Sequence, residues 1–180
     1  MLRMLPRVAD KRLERRRTML MASAARAVAA ASVGEEDEVS FDVISELNWL
    51  AVIVAGIIYY ALGAIWYAPP VLGRVWQRSI GWDPNQPAPG MSPMNIAIPL
   101  VGYLVAAAAT GMLAAATGSI DVSGGVVLGL VIGVGYALTL MVVTAAFDPQ
   151  KPQPWTWFAV AGGYHFLGLL ITAVVVSAWQ

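Results

Sequence analysis

The sequence contains no cysteine and only one histidine, and after residue 47 it has very few charged residues. The lack of cysteine excludes a disulfide framework, a thiolate metal site and a cysteine nucleophile. Charged residues make up 12% of the chain, against roughly 25% in an ordinary soluble domain. Hydrophobic residues make up 58%, and the mean hydropathy is +0.67. This composition indicates a membrane protein.

The formal net charge is zero, but the charges are distributed unevenly. Of the 11 basic and 11 acidic residues, 8 of each sign lie within residues 1–47. Residues 1–46 are therefore predicted to be a tail, first basic and then acidic, that is disordered or serves in targeting. Residues 47–180 are predicted to form a membrane domain. Its six charged residues are Arg74, Arg78, Asp83, Asp121, Asp148 and Lys151.

Four uncharged stretches in this domain are long enough to cross a hydrocarbon core of about 30 Å, which takes about 20 helical residues. Spanning segments must satisfy their own backbone hydrogen bonds, and these stretches lack the alternation of a barrel strand. We therefore predict an all-α fold, an integral membrane bundle of four transmembrane helices. The spans are expected at about residues 49–67, 95–117, 124–147 and 157–179.

The segment after the first span has the pattern of a short helix lying in the membrane surface. Its polar face is predicted to carry Arg74, Gln77 and Arg78, and its apolar face Val71, Leu72, Val75, Trp76 and Ile80. An interfacial anchor is the favoured interpretation over a partner-docking helix. Residues 82–90 are rich in proline and are predicted to be irregular.

The basic residues near the spans predict the orientation of the bundle. Arg74, Arg78 and Lys151 lie in the loops after the first and third spans. Because cytoplasmic loops carry an excess of Lys and Arg, these two loops are expected inside and both termini outside.

The basic start of the tail conflicts with that orientation and leaves three interpretations open. Residues 1–33 could be a cleaved organelle-targeting peptide, which would place the domain in an organellar inner membrane instead of the cell membrane. Translation could instead begin at Met19 or Met21, or the tail could hold the N-terminus inside. We do not predict a nucleic-acid site, because the arginines lack a folded scaffold.

Small residues recur every four positions in the predicted spans, as in helices that pack closely in lipid. The predicted packing positions are Gly63 in the first span, Gly111 in the second, and Gly125, Gly129 and Gly133 in the third. Packing within the bundle is favoured, and a homodimer face is the alternative. Besides the lipid bilayer, the expected partners are thus a second copy or a larger membrane complex.

Polar side chains near the middle of the spans are the candidate functional residues. His165 is the only acidic or basic residue inside a predicted span, and Tyr59, Tyr60, Tyr103 and Tyr136 lie at similar depth. If their faces converge, they form a hydrogen-bonded cluster in the core of the bundle. A structural role for His165 is favoured over a proton relay or ligand site.

Specific chemistries are not supported by the sequence. One histidine cannot supply two haem ligands, no His/Asp/Glu cluster fits a metal, and no base stands beside a serine. We therefore expect no catalytic residue, no cofactor and no metal. The favoured function is a non-catalytic accessory or structural membrane component. The alternative is a small transporter or channel for a neutral or weakly polar solute, with Tyr59, Tyr136 and His165 along its path.

Several motifs resemble those of a known family. They are Asn48-Trp49-Leu50-Ala51-Val52, the stretch from Gly63 to Pro69 with its Trp66-Tyr67-Ala68-Pro69, Gly73-Arg74-Val75-Trp76, and Gly163-Tyr164-His165-Phe166-Leu167. Over about residues 47–180 the chain resembles the small membrane proteins grouped as domain of unknown function 1761. The resemblance implies a four-helix membrane domain that begins near Asn48, without an established activity. It also implies that residues 1–46 are an addition to that domain.

Overall fold

A computed structural model of the chain describes residues 14–26, 41–86 and 92–180. The chain divides into two compact units, Met1–Ser40 and Phe41–Gln180. In the first unit, residues 14–26 form a helix with exposed side chains. The arginines before residue 14, the acidic run at 35–38 and the prolines at 87 and 89 lie outside the described residues.

The second unit contains four helices that are long and apolar enough to cross a membrane, as the sequence predicts. We call them spans 1 to 4: Trp49–Trp66, Pro93–Ala116, Val122–Phe147 and Pro154–Ala178. The described part of the unit also contains three shorter elements: a 3-10 turn at Phe41–Ser45 before span 1, and a π turn at Pro69–Gly73 and an α-helix at Arg74–Ser79 after it. The described part of the chain is all-helical, which confirms the predicted fold class.

Spans 3 and 4 each contain a π-helical segment. Span 3 is α-helical over Val122–Ile132 and Thr139–Phe147, with a π segment at Gly133–Leu138 between them. Span 4 is α-helical over Pro154–Trp157 and Gly163–Ala178, with a π segment at Phe158–Gly162. A third π turn, Pro69–Gly73, follows span 1. Such segments are rare in proteins overall, and those that occur often lie at functional sites.

Polar side chains cap the beginning of the first three spans. Asn48, Ser92 and Asp121 each accept the amide hydrogen three residues further along, at 3.1, 3.3 and 2.7 Å. Each cap satisfies one of the amides that a helix leaves unpaired at its start. The Asn48 side chain also donates to the carbonyl of Trp179 at 3.0 Å, and thus ties the start of span 1 to the end of span 4.

Span 4 lies at the centre of the bundle and packs against the other three spans. In its most apolar 18-residue window 44% of the residues are buried, against 17% to 28% in spans 1, 2 and 3. Span 1 also packs against span 2, whereas spans 2 and 3 touch each other at few points. The core consists of small and branched side chains from all four spans: Val52, Ala55, Ala107, Ala114, Leu128, Ile132, Ala173 and Val176.

The segment after span 1 packs against the beginning of span 4, so the first and third loops lie at one end of the bundle. The carbonyl of buried Ser79 accepts the amide of Gln153 at 3.3 Å. Val71 and Val75 of the predicted apolar face are 50% and 37% exposed. The single predicted helix is in fact a π turn, Pro69–Gly73, followed by an α-helix. Gly73 lies so close to the end of span 1 that a Cβ there would overlap the carbonyl oxygen of Tyr67.

Candidate functional site

A hydrogen bond joins span 1 to span 4 near the middle of both helices. The Tyr59 hydroxyl lies 2.7 Å from Nδ1 of His165 and 3.4 Å from the His165 carbonyl oxygen. The Tyr59 side chain is only 2% exposed, and His165 is half-buried. Water is scarce at this depth of a bilayer, so an unpaired hydroxyl or imidazole would be costly to bury. The bond satisfies both polar groups.

Two further tyrosines surround this pair. Tyr103 of span 2 stacks on Tyr59 with ring centroids 4.2 Å apart and planes inclined by 20°. Tyr164 is buried beside both rings, with its ring 5.4 Å from that of Tyr59 and 6.0 Å from that of Tyr103. Its hydroxyl donates to the Tyr59 carbonyl at 3.0 Å. We call Tyr59, Tyr103, Tyr164 and His165 the aromatic cluster; it joins spans 1, 2 and 4.

Two glycines give the cluster its space. A Cβ at Gly168 would overlap the Tyr59 ring, and a Cβ at Gly63 would lie 2.8 Å from the Tyr164 hydroxyl oxygen. These glycines are therefore steric requirements of the cluster, since close approach of this kind is what glycine permits.

A hydrogen bond from span 1 to the π segment of span 4 holds the two helices together next to the cluster. The carbonyl of Val160, inside that segment, accepts a hydrogen bond from Trp66 Nε1 at 3.0 Å. A π turn shifts the backbone ladder from i−4 toward i−5 and can leave a carbonyl open to a side chain. The bond fixes the end of span 1 against the turn that leads into Tyr164 and His165.

A cleft of about 360 Å³ opens beside the cluster. It lies between spans 2 and 3, which diverge at this level, and spans 1 and 4 form its floor. Its walls are small or apolar, and its polar groups belong to the aromatic cluster. The lining residues are Tyr59, Gly102, Tyr103, Ala106, Ala137, Leu140, Met141, His165 and Leu169.

The structure brings together three of the five residues predicted to form a polar cluster, Tyr59, Tyr103 and His165. Tyr60 lies at the edge, with its ring 6.5 Å from that of Tyr103. The structure does not bring Tyr136 into the cluster: its side chain is 67% exposed on span 3 and has no ring contact with a described aromatic residue. Tyr136 lies within the π segment Gly133–Leu138, which has more residues per turn and so rotates it away from the interface that Gly133 occupies.

Tyr164 was missed by the sequence reasoning, although it is the most deeply buried ring of the cluster. Two signals in the sequence could have indicated it. Tyr164 directly precedes the only histidine of the spans, and Gly63 occurs in span 1 where a bulky ring needs room.

The glycines predicted to pack helices lie at contacts within the chain. A Cβ at Gly125 would be 2.7 Å from Val174 Cα, and one at Gly129 would be 2.9 Å from Leu170 Cα. The third, Gly133, faces the Phe166 ring of span 4, and in span 2 Gly111 faces Leu47 and Val52. The stripe on span 3 is therefore covered by span 4 of the same chain.

The charged residues lie outside the cleft, at the ends of the spans. The pKa of Asp121 is lowered because its carboxylate accepts hydrogen bonds from the Gly124 amide and the Ser123 hydroxyl. The pKa of Asp148 is lowered by its ion pair with Lys151, whose ammonium also lies 4.3 Å above the Trp157 ring. Among the residues that the structure describes, no group of three or more His, Asp or Glu side chains could hold a metal ion.

Comparisons with known proteins bear on the family of the chain. Residues 50–177 match the family model described as "Protein of unknown function (DUF1761)". No curated protein matches the chain, and no solved structure matches it. The matched region contains the four spans except for Trp49 and Ala178, and it contains the whole aromatic cluster. The chain therefore belongs to the DUF1761 family.

Proposed function

We propose that this protein is a non-catalytic, multi-pass membrane component that binds a small, neutral, lipophilic molecule in the cleft between spans 2 and 3. The observation that carries the proposal is the cleft itself, which has apolar walls and the Tyr59–His165 pair at its floor. The cleft, with a volume of about 360 Å³, is largely open on its outer side, so a ligand there would rest against Tyr59 and His165 and keep its other side in the lipid.

The lining of the cleft supports a neutral ligand. None of its nine lining residues is an Asp, Glu, Lys or Arg. A charged ligand would have to leave water without a counter-charge, which costs several kcal/mol per ion. A neutral molecule dissolved in the bilayer meets no such penalty and reaches the cleft between the two diverging helices.

Accessory binding is better supported than the transport alternative. A transport path along Tyr59, Tyr136 and His165 requires all three side chains on one surface, but Tyr136 is exposed and does not line the cleft that Tyr59 and His165 line. The cleft nevertheless includes Tyr59 and His165, so a carrier that delivers its ligand sideways into the lipid is the remaining form of the transport hypothesis.

The location and partners belong to the same proposal. We place the domain in the cell membrane with the loops that carry Arg74, Arg78 and Lys151 in the cytoplasm. An organellar inner membrane is the alternative if residues 1–33 are a targeting peptide. Because span 4 covers the glycine stripe of span 3, a homo-oligomer or larger complex would use the other faces of the spans.

Photolabelling tests the proposed binding. The full chain is reconstituted into lipid nanodiscs with benzophenone, a neutral ketone that inserts into nearby C–H bonds on irradiation, and adducts are located by mass spectrometry. We expect a saturable adduct at Met141, which lines the cleft. Met94 is 62% exposed outside the cleft and serves as the internal reference, where labelling should rise in proportion to concentration.

Two glycine variants make the test specific. Neither Gly102 nor Gly135 has another atom within 4 Å of an added Cβ, but only Gly102 lines the cleft. Gly102→Phe should fill the cleft and abolish the saturable adduct, whereas Gly135→Phe should leave it unchanged. Labelling of Met141 that does not saturate, or that Gly102→Phe leaves intact, would overturn the proposal.

A further inference from the structure

One nitrogen of His165 has no hydrogen-bond partner among the described residues. Tyr59 occupies Nδ1, and no described residue forms a hydrogen bond with Nε2, on the opposite edge of the ring. His165 nevertheless lies near the middle of span 4 and lines the cleft. A polar group left unpaired in the interior of a bilayer is costly, so Nε2 is the place where a ligand gains most from a hydrogen bond.

The chemistry of the Tyr59–His165 bond determines what Nε2 offers. A phenol is a stronger hydrogen-bond donor than a neutral imidazole, and an imidazole nitrogen is the stronger acceptor. The 2.7 Å bond is therefore best formed by the Tyr59 hydroxyl donating to Nδ1; the carbonyl at 3.4 Å is a poorer acceptor at that distance. In a neutral imidazole the proton then resides on Nε2, which becomes a donor.

We propose that the molecule bound in the cleft carries a carbonyl oxygen that accepts a hydrogen bond from His165 Nε2. The ligand class is thus a neutral lipophilic ketone, quinone or ester. This inference rests on the proposed function of the cleft. A carbonyl supplies the missing acceptor without bringing a further donor, and the apolar walls formed by Ala106, Ala137, Leu140 and Leu169 receive its hydrocarbon part.

A pair of competitors that differ by one group tests the inference. 9-Fluorenone and fluorene have the same ring system, with a carbonyl in the first where the second has a methylene. Each is titrated against benzophenone labelling of Met141 in nanodiscs that contain the full chain. Because the two compounds partition differently into lipid, the measured quantity is the ratio of their half-inhibitory concentrations, compared between protein variants in the same lipid.

We expect His165→Phe to raise the half-inhibitory concentration of fluorenone, relative to that of fluorene, by about tenfold. This factor corresponds to the loss of one hydrogen bond. Tyr59→Phe retains the stacked ring and the histidine but leaves Nδ1 without its donor, so the proton is no longer held on Nε2. This variant should change the ratio in the same direction by a smaller factor. This variant keeps the test decisive if His165→Phe does not fold. Tyr136→Phe removes a hydroxyl outside the cleft and should leave the ratio unchanged.

The outcomes separate the inference from the proposed function. Saturable labelling of Met141 with a ratio that neither His165→Phe nor Tyr59→Phe alters would refute the carbonyl ligand and leave the cleft as a binding site for neutral lipophiles. Labelling that never saturates would refute both. Equal changes of the ratio in Tyr59→Phe and Tyr136→Phe would also refute the role of Nε2.

Discussion

Gly125→Ala tests whether the contact between spans 3 and 4 limits the stability of the bundle. An added Cβ would lie 2.7 Å from Val174 Cα and 2.9 Å from the Ala173 carbonyl oxygen. Both are backbone atoms, so span 4 itself would have to move. Overpacking of this kind typically costs about 1–3 kcal/mol.

The comparison with Gly102→Ala isolates that cost. Replacing an internal helical glycine by alanine stabilises a helix by about 0.5–1 kcal/mol, and both glycines lie in regular α-helix. Gly102 has no atom within 4 Å of the added Cβ, so only this gain applies there. The free energy of unfolding of Gly125→Ala should therefore fall below that of Gly102→Ala by about 1–3 kcal/mol.

Reversible unfolding in mixed micelles measures this difference. The full chain is titrated with a denaturing detergent while helix content and tryptophan fluorescence are followed, and both variants are measured beside the wild type. Equal free energies of unfolding for Gly125→Ala and Gly102→Ala would show that the methyl group costs nothing at Gly125, and would refute the close backbone contact between spans 3 and 4.

Three further variants test other contacts. Trp66→Phe removes the hydrogen bond to the Val160 carbonyl and should lower the free energy of unfolding, in the same titration, by about 0.5–1.5 kcal/mol. Asp121 has a lowered pKa in the folded chain, so its stabilising contribution is present above the ordinary value of about 4 and is lost as pH falls through the folded pKa. Asp121→Asn should thus flatten the decline of the unfolding free energy as the pH falls below about 4. Gly168→Ala should displace the ring of Tyr59 and weaken saturable benzophenone labelling in the cleft.

Each of these variants has its own control or contradicting result. Trp155→Phe alters a tryptophan that is 59% exposed and should leave the unfolding free energy nearly unchanged. Parallel pH curves for Asp121→Asn and the wild type would show that the cap does not contribute through its charge. Gly135→Ala has room for its methyl group and should leave the labelling unchanged. If it reduced the labelling as much as Gly168→Ala does, a specific role for the Tyr59 ring would be contradicted.

The helices and their order could be predicted because hydrophobic length and charge placement depend on local sequence. The four spans begin and end within a few residues of the predicted bounds, and the caps at Asn48 and Asp121 explain two of their starts. The glycines of span 3 were visible as a periodic pattern, but the pattern alone did not tell whether span 4 or a second copy would cover them. That choice depends on tertiary contacts.

The position of Tyr136 could not be predicted because it depends on irregular backbone, and the cleft could not be predicted because it depends on which spans contact each other. A helical projection assumes roughly 100° per residue throughout, and the π segment at Gly133–Leu138 breaks that assumption just where Tyr136 lies. Tyr59 and His165, 106 residues apart, were expected at similar depth in the bilayer, but whether their faces converge depends on tertiary contacts. The central place of Tyr164 depends instead on the room that Gly63 leaves.

The central position of span 4 has a consequence for biogenesis. Spans enter a membrane in the order of their synthesis, and spans 2 and 3, which come before span 4, contact each other at few points. Until span 4 arrives, span 3 thus has no neighbour for its glycine face, and Tyr59 has no histidine to bind. Assembly of this bundle is therefore completed late: spans 1 and 2 can pack against each other before span 4 is made, but span 3 gains its main contacts only when span 4 inserts.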